Sequence, residues 1–283
     1  RYPLSSVSAG MDMVFPSVMF FLAAGIEPGL RYPCRDVLVN GRVRWRTVKE
    51  KDTPGVDIEP GVCGVDALRF ALAVRAVPGQ ETTLSQGRVN EFVPFLKKLW
   101  HAARFVVKHL EGTDLSNYGD GNRMPDPEVL TDADKWILHG LNNTVEKVND
   151  RLDNYRVHEA AKLAVRFFRI EFCGWYLEFA RGDLKDSGLL RVHTLVTLRF
   201  AMGTVLKLLH PFIPFITEEI YRHLHGGDGF LLQEEYPSFK GELAFSREYK
   251  EIEVLKKLAG ETRRIRALNG IAPARAMPVC LAG

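Results

Sequence analysis

From residue 64 onward, apolar side chains return every three or four positions, the repeat of helices that bury one face. "VDALRFALAV" predicts a helix over 65–74 with Asp66 in its acidic first turn. Across 86–110, Val89, Phe92, Leu96, Leu99, Ala103, Val106 and Leu110 form one stripe. Pro94 either bends that helix or marks its true start. "LTDADKWILHGLNNTVEKVNDRL" opens on Thr and Asp capping residues, then sets Leu138, Leu141, Val145, Val148 and Leu152 on one face. Further helices are expected over 157–181, 188–209 and 212–224. A last one, over 247–268, carries Ile252, Leu255, Ala259, Thr262 and Ile265 in register. Residues 111–130, rich in Gly, Asp, Asn and Pro, read as an exposed loop. Long helices on short connections predict a mostly α fold, an antiparallel bundle over 64–283.

Residues 1–63 break this rhythm. A helix-like run (13–24) leads through "GIEPGLRYP" to "RDVLVNGRV", where Val37, Leu38 and Val39 predict a short buried strand. This is an α/β fragment, too short for a whole nucleotide-binding sheet. The most apolar run, "MVFPSVMFFLAAGI", has 14 residues, too few to span a bilayer, so no membrane partner is expected. The chain opens on Arg1 rather than Met, which suggests a processed or partial sequence.

The composition, 46% apolar and 26% charged, is ordinary for a soluble globular protein. A net charge of +3 does not make a nucleic-acid partner compulsory, so local clusters matter more. Cys34, Cys63, Cys173 and Cys280 are isolated, which argues against a zinc site and for a reducing compartment rather than secretion. His223-Leu-His225 reads as a solvated helix end, and no other histidine or cysteine pair sits at metal-ligand spacing.

Five stretches, in order, carry a resemblance: "GVDALRFAL" (64–72), "KKLWHAARF" (97–105), "DKWILHGLNNTVEKV" (134–148), "EFCGWYLE" (171–178) and "LLHPFIPFITEEIY" (208–221). Together they resemble valyl-tRNA synthetases, within the isoleucyl, leucyl and valyl group of class I. The last stretch is shared across that group, whereas the Trp-Ile-Leu and Phe-Cys-x-Trp-Tyr-Leu-Glu runs lean towards the valine enzyme. The resemblance implies a helical anticodon-binding domain over 64–283, preceded over 1–63 by a Rossmann-like remnant of the catalytic fold's second half. The stretches identify a scaffold. Trp100, Trp136, Trp175, Phe172 and Tyr176 are expected in its core. Pro211 and Pro214 are expected to shape a helix entry, and His210 to be a structural hydrogen-bonder.

The family's chemistry needs a His-x-Gly-His signature and a Lys-Met-Ser-Lys-Ser loop, because adenylate formation builds negative charge that mobile lysines neutralise. The first signature is absent from this sequence. "GMDMVFPS" keeps Asp12 of a family run but places Pro16 and Ser17 where Phe and Trp are usual, and Asn40 stands where a His is usual. "KEKDTPG" pairs best with the lysine loop: Lys49 and Gly55 match, while Asp52 stands at the second lysine. An anion there reverses the interaction with a triphosphate, and losing one such stabiliser costs roughly 10²–10³ in rate. Aligned instead with the connection before the Gly-x-Asp-Ala-Leu-Arg helix, the loop is missing altogether. Either alignment predicts no valine activation and no cofactor for the chain as it stands; ATP enters if a complete chain is an active synthetase.

Two basic clusters remain: Arg42, Arg44, Arg46, Lys49 and Lys51 beside Trp45, a surface for stacking a base, and Lys256, Lys257, Arg263, Arg264, Arg266 and Arg275. Each is either a solvated face or an RNA surface, and the resemblance favours RNA for the second. Three functions compete. The leading one is a catalytically silent scaffold that binds RNA (tRNA or ribosomal RNA) and proteins in a larger ribonucleoprotein, with a mitochondrial ribosome or its assembly as the setting. The alternative is the C-terminal portion of a working valine–tRNA ligase in the mitochondrial matrix or cytoplasm. A helical adaptor that binds only proteins is the third.

Overall fold

In a computed structural model, residues 3–25, 33–46, 64–75, 77–115, 118, 123–227, 229–272 and 275 are described. Strands Leu4–Gly10 (β1) and Cys34–Asn40 (β2) pair in parallel, Leu4 opposite Cys34 and Gly10 opposite Asn40. Parallel neighbours need a crossover. Its helical part is a tight turn at Met11–Met13, a π-wound turn at Val14–Val18 and helix α1, Met19–Gly25. The expected strand at 37–39 is therefore the middle of β2, and β1 is a strand the apolar pattern did not announce.

A second parallel pair joins β3 (Val43–Trp45) to β4 (Thr82–Leu84), with Trp45 opposite Leu84. Gly41 makes the approach possible. A Cβ at this position would lie 1.9 Å from the Gln80 carbonyl oxygen, so no other residue fits.

The rest is helical. The helices are α2 (Val65–Arg75), α3 (Gln86–Asn90), α4 (Val93–Leu110), α5 (Asp132–Asp153) and α6 (Val157–Arg166). They are followed by α7 (Leu177–Asp183), α8 (Leu189–Leu209), α9 (Pro214–Leu224) and α10 (Ser246–Leu268). Pro94 marks a start: it sits in the first turn of α4, where its missing N–H costs nothing. Thr131 closes a reciprocal capping box with Asp134 at the head of α5. The expected helix over 157–181 is continuous but changes winding. Phe167–Tyr176, ten residues, is π-wound between α6 and α7, far longer than the usual single-turn bulge.

Helix α8 lies at the centre, in contact with α4, α5, α6, α7 and α9. It is apolar nearly all round because it is covered nearly all round. By length and composition it could cross a membrane, yet 72% of its apolar window is buried inside the bundle. The 111–130 segment is not uniformly exposed, since Leu115 and Leu130 insert into the protein. Of the aromatics expected inside, Trp136, Phe172 and Tyr176 are buried and Trp175 is half-buried. Trp100 is 37% exposed, against T-stacked His223, and corrects that expectation.

Long-range polar contacts fix the arrangement. The Asp66 carboxylate on α2 accepts from the Phe215 and Ile216 amides (3.4 and 2.7 Å), so it caps the positively polarised start of α9. Arg69 donates to the Pro211 carbonyl (3.3 Å), and His210 Nδ1 lies 2.9 Å from Thr217 Oγ1, as a structural histidine should. Tyr176 donates to buried Asp134, whose carboxyl desolvation pushes above its ordinary range. Between the α/β part and the bundle, Tyr155 donates to Asp36 (2.8 Å) from a left-handed backbone (φ 57°). That conformation costs about 1–2 kcal/mol in a residue with a Cβ.

Candidate nucleic-acid interface

On β3 the pleat puts residues 42, 44 and 46 on one side and 43 and 45 on the other. Arg42, Arg44 and Arg46 are exposed. Arg44 is paired with Glu81 (3.0 Å) on the neighbouring segment. Trp45, like Phe92, packs on a small cluster of Ala67, Ala71, Leu84 and Val89, and its half-buried ring is a wedge under β3. Lys49, Lys51, Asp52 and Gly55 lie outside the described residues. Asp12 is described and exposed, just past the C-terminal end of β1, with Oδ1 folded to 2.6 Å from where a Cβ on Gly10 would stand. A carboxylate there offers a phosphate nothing but repulsion.

The second cluster divides. Lys256 is a correction to the sequence reading. Its side chain is 9% exposed, and its ammonium lies 2.5 Å from Glu171, 2.6 Å from Glu253 and 4.5 Å from the Trp136 ring centroid. Trp136 Nε1 donates to the same Glu253 (3.0 Å). This cation ties α10 to α5 and the π-wound stretch, and two carboxylates already neutralise it. Arg266 spends its guanidinium on the Ala272 and Arg275 carbonyls, and Arg264 pairs with Glu261 (2.8 Å). Lys257 and Arg275 are exposed. Arg263 is exposed too and stacks over Trp175, 5.0 Å from its centroid.

Folding assembles a third basic group that no sequence window displays. Lys98 of α4 and Lys162, Arg166 and Arg169 of the α6 helix and its π-wound continuation surround a concavity of about 520 Å³ with an apolar floor. None of the four has a carboxylate partner among the described residues. Lys98 also acts on its neighbour Cys173: burial pushes that thiol up to about 12 and the ammonium opposes the shift. Only the helix register could have hinted at the group, since Lys162, Arg166 and Arg169 fall at i, i+4 and i+7.

With this geometry in place, comparison with known proteins gives a family. The profile for the anticodon-binding domain of tRNA ligases matches residues 134–281, which covers α5 to beyond α10. The chain belongs to that family. It is a valine–tRNA-ligase-related anticodon-binding region with a small α/β part ahead of it. It is 33% identical over 290 aligned residues to the valine–tRNA ligase of Geobacter sulfurreducens, which covers 99% of this chain and 32% of that protein. It is 32% identical over 285 residues to that of Fusobacterium nucleatum, with 97% of this chain and 31% of that protein covered. The chain thus spans about a third of the ligases it matches. The crystallised Agrobacterium radiobacter K84 LeuRS, in ternary complex with tRNA and LeuAMS, shares the fold at a TM-score of 0.65 and 15% identity. That match covers 86% of this chain and 29% of the other.

Proposed function

We propose that this chain is the RNA-docking portion of a valine–tRNA-ligase-like protein, and that its own residues do not activate valine. It acts as a scaffold for tRNA or ribosomal RNA and for proteins of a larger ribonucleoprotein, with a mitochondrial ribosome or its assembly as the proposed setting. One observation carries the docking half: Arg42, Arg46, Lys257 and Arg263 stand exposed with no carboxylate partner among the described residues. Membership in an anticodon-binding family supports the same reading. The silent half rests on Asp52, an anion where the lysine loop's second cation is expected. A regular RNA helix offers its backbone and its shape more readily than its base edges, so shape and phosphate contacts dominate the docking.

A second reading has its own support. Similarity to the Geobacter ligase runs through the α/β part as well as the bundle, as it would in the C-terminal portion of a working valine–tRNA ligase that uses ATP. Valine-dependent ATP–pyrophosphate exchange by the full gene product separates the two. The silent scaffold gives none, and measurable exchange would sink it. For docking, tRNA affinity should fall with salt at a log–log slope of about −0.7 to −0.9 per phosphate engaged. Affinity indifferent both to salt and to charge reversal of Lys257, Arg263 and Arg264 would favour a protein-only adaptor.

A further inference from the structure

The concavity between α2, α4 and α6 combines two features rarely found together on a solvated face. Its apolar lining includes Phe92 and Ile170, and its charged lining is Lys98, Lys162, Arg166 and Arg169. We propose that it is a docking site for unpaired RNA: one base lies against the Phe92 ring while adjacent phosphates rest on the rim cations. The assignment presumes the RNA-docking reading above and locates its single-stranded contact.

The aromatic half is set before any ligand arrives. Phe92 is half-exposed, and its ring stands edge-on to buried Phe70 at 5.1 Å and 76°. Phe70 is itself held at 5.3 Å by Phe95. A ring fixed in this way loses little freedom when a base stacks on it.

The charged half is equally specific. The carboxylates that might have quenched the rim are occupied elsewhere: Glu91 by Arg75 (3.0 Å), Glu159 by Arg151 (3.0 Å) and Glu171 by Lys256 (2.5 Å). Four cations thus gather with no anion of the described protein between them, a mutual repulsion that a polyanion relieves. From 162 to 169 the helix advances about 10 Å. A row of that length spans more than one nucleotide of an extended strand, so it meets more than one phosphate. A string of cations beside an aromatic face is the composition of single-strand binding surfaces, where the π-face accepts any base. An acidic peptide would use the cations and leave the ring idle.

The test is fluorescence anisotropy on the full chain, with labelled oligouridylate, a duplex RNA and polyglutamate across a salt series. Oligouridylate should bind with a log–log slope of about −0.7 per phosphate engaged. The triple change Lys162→Gln, Arg166→Gln and Arg169→Gln should weaken binding and flatten the slope by roughly two such increments. Phe92→Ala should weaken it about 5- to 100-fold, and Phe92→Tyr should restore it. Thermal melts establish that each variant is folded, and the exposed triple change should leave the melt in place. Wild-type affinity for oligouridylate in both folded variants would overturn the site while leaving RNA docking intact elsewhere. Loss through the cations but not through Phe92 would overturn the base-stacking site and leave a plain phosphate surface. Polyglutamate bound as tightly as RNA would reassign the site to an acidic protein. No RNA binding by the wild type would overturn this proposal and the docking reading together.

Discussion

The α/β part and the bundle answer the same chain chemistry in opposite ways. In the bundle, large apolar side chains are inside: Trp136, Phe168, Phe172, Leu195 and Leu198 are all fully buried. In the α/β part, Phe15 is 82% and Phe20 73% exposed, and of the described residues in 3–46 only Val18, Pro33 and Cys34 are buried. A two-stranded sheet with one short helix has too little second layer to cover its apolar face. The contacts of the α/β part with the helical part named above are the Tyr155–Asp36 bond and the Trp45 wedge.

The contrast can be broken by substitution, most strongly in the bundle. Trp136→Ala removes a fully buried indole and should cost about 3–5 kcal/mol in urea unfolding, far above any single change before residue 46. Asp66→Ala leaves two amides at the start of α9 unsatisfied. A loss of about 1–2 kcal/mol is expected, and Asp66→Asn should restore part of it. Tyr155→Phe keeps the strained backbone and deletes the bond to Asp36. It should lower stability by about 0.5–1.5 kcal/mol, and amide exchange should quicken in β2 without change in α8. A pH titration sharpens the comparison further. Burial holds the His210 imidazole below its ordinary 6.5, against the pull of Glu218 and Asp66. A depressed histidine gives stability that is complete above about 6.5 and drains as pH falls through the folded-state value, so acidification should loosen the α2–α9 joint and His210→Asn should flatten the slope. Smallest of all, Phe20→Ser should change stability by no more than about 0.5 kcal/mol, because the ring is already in water.

What the sequence disclosed follows from the range of the interactions involved. Helices with one apolar stripe declared themselves, except that α10 leaves Leu255 and Ile265 of its expected stripe 58% and 52% exposed, and caps spelled within four residues did so too, as at Thr131–Asp134. β1 did not, because Leu4–Gly10 reads LSSVSAG, with too few branched or aromatic residues to mark a strand. The π-wound stretch was invisible too, since its apolar spacing fits an ordinary helix. At the candidate interface, Arg42, Arg44 and Arg46 were legible because a strand keeps neighbours together. Lys256 was misread because its partner Glu171 is 85 positions away. The rim of the concavity was missed for a related reason, with Lys98 and Lys162 on separate helices whose side chains meet one concavity only in the folded protein.

The cap that Asp66 places on α9 also has a consequence in time. Its two amide partners follow it by 149 and 150 residues. At synthesis rates of about 5–20 residues per second, roughly 8–30 s pass before they have been made. Throughout that interval the acidic end of α2 is without the two amides it caps in the folded protein.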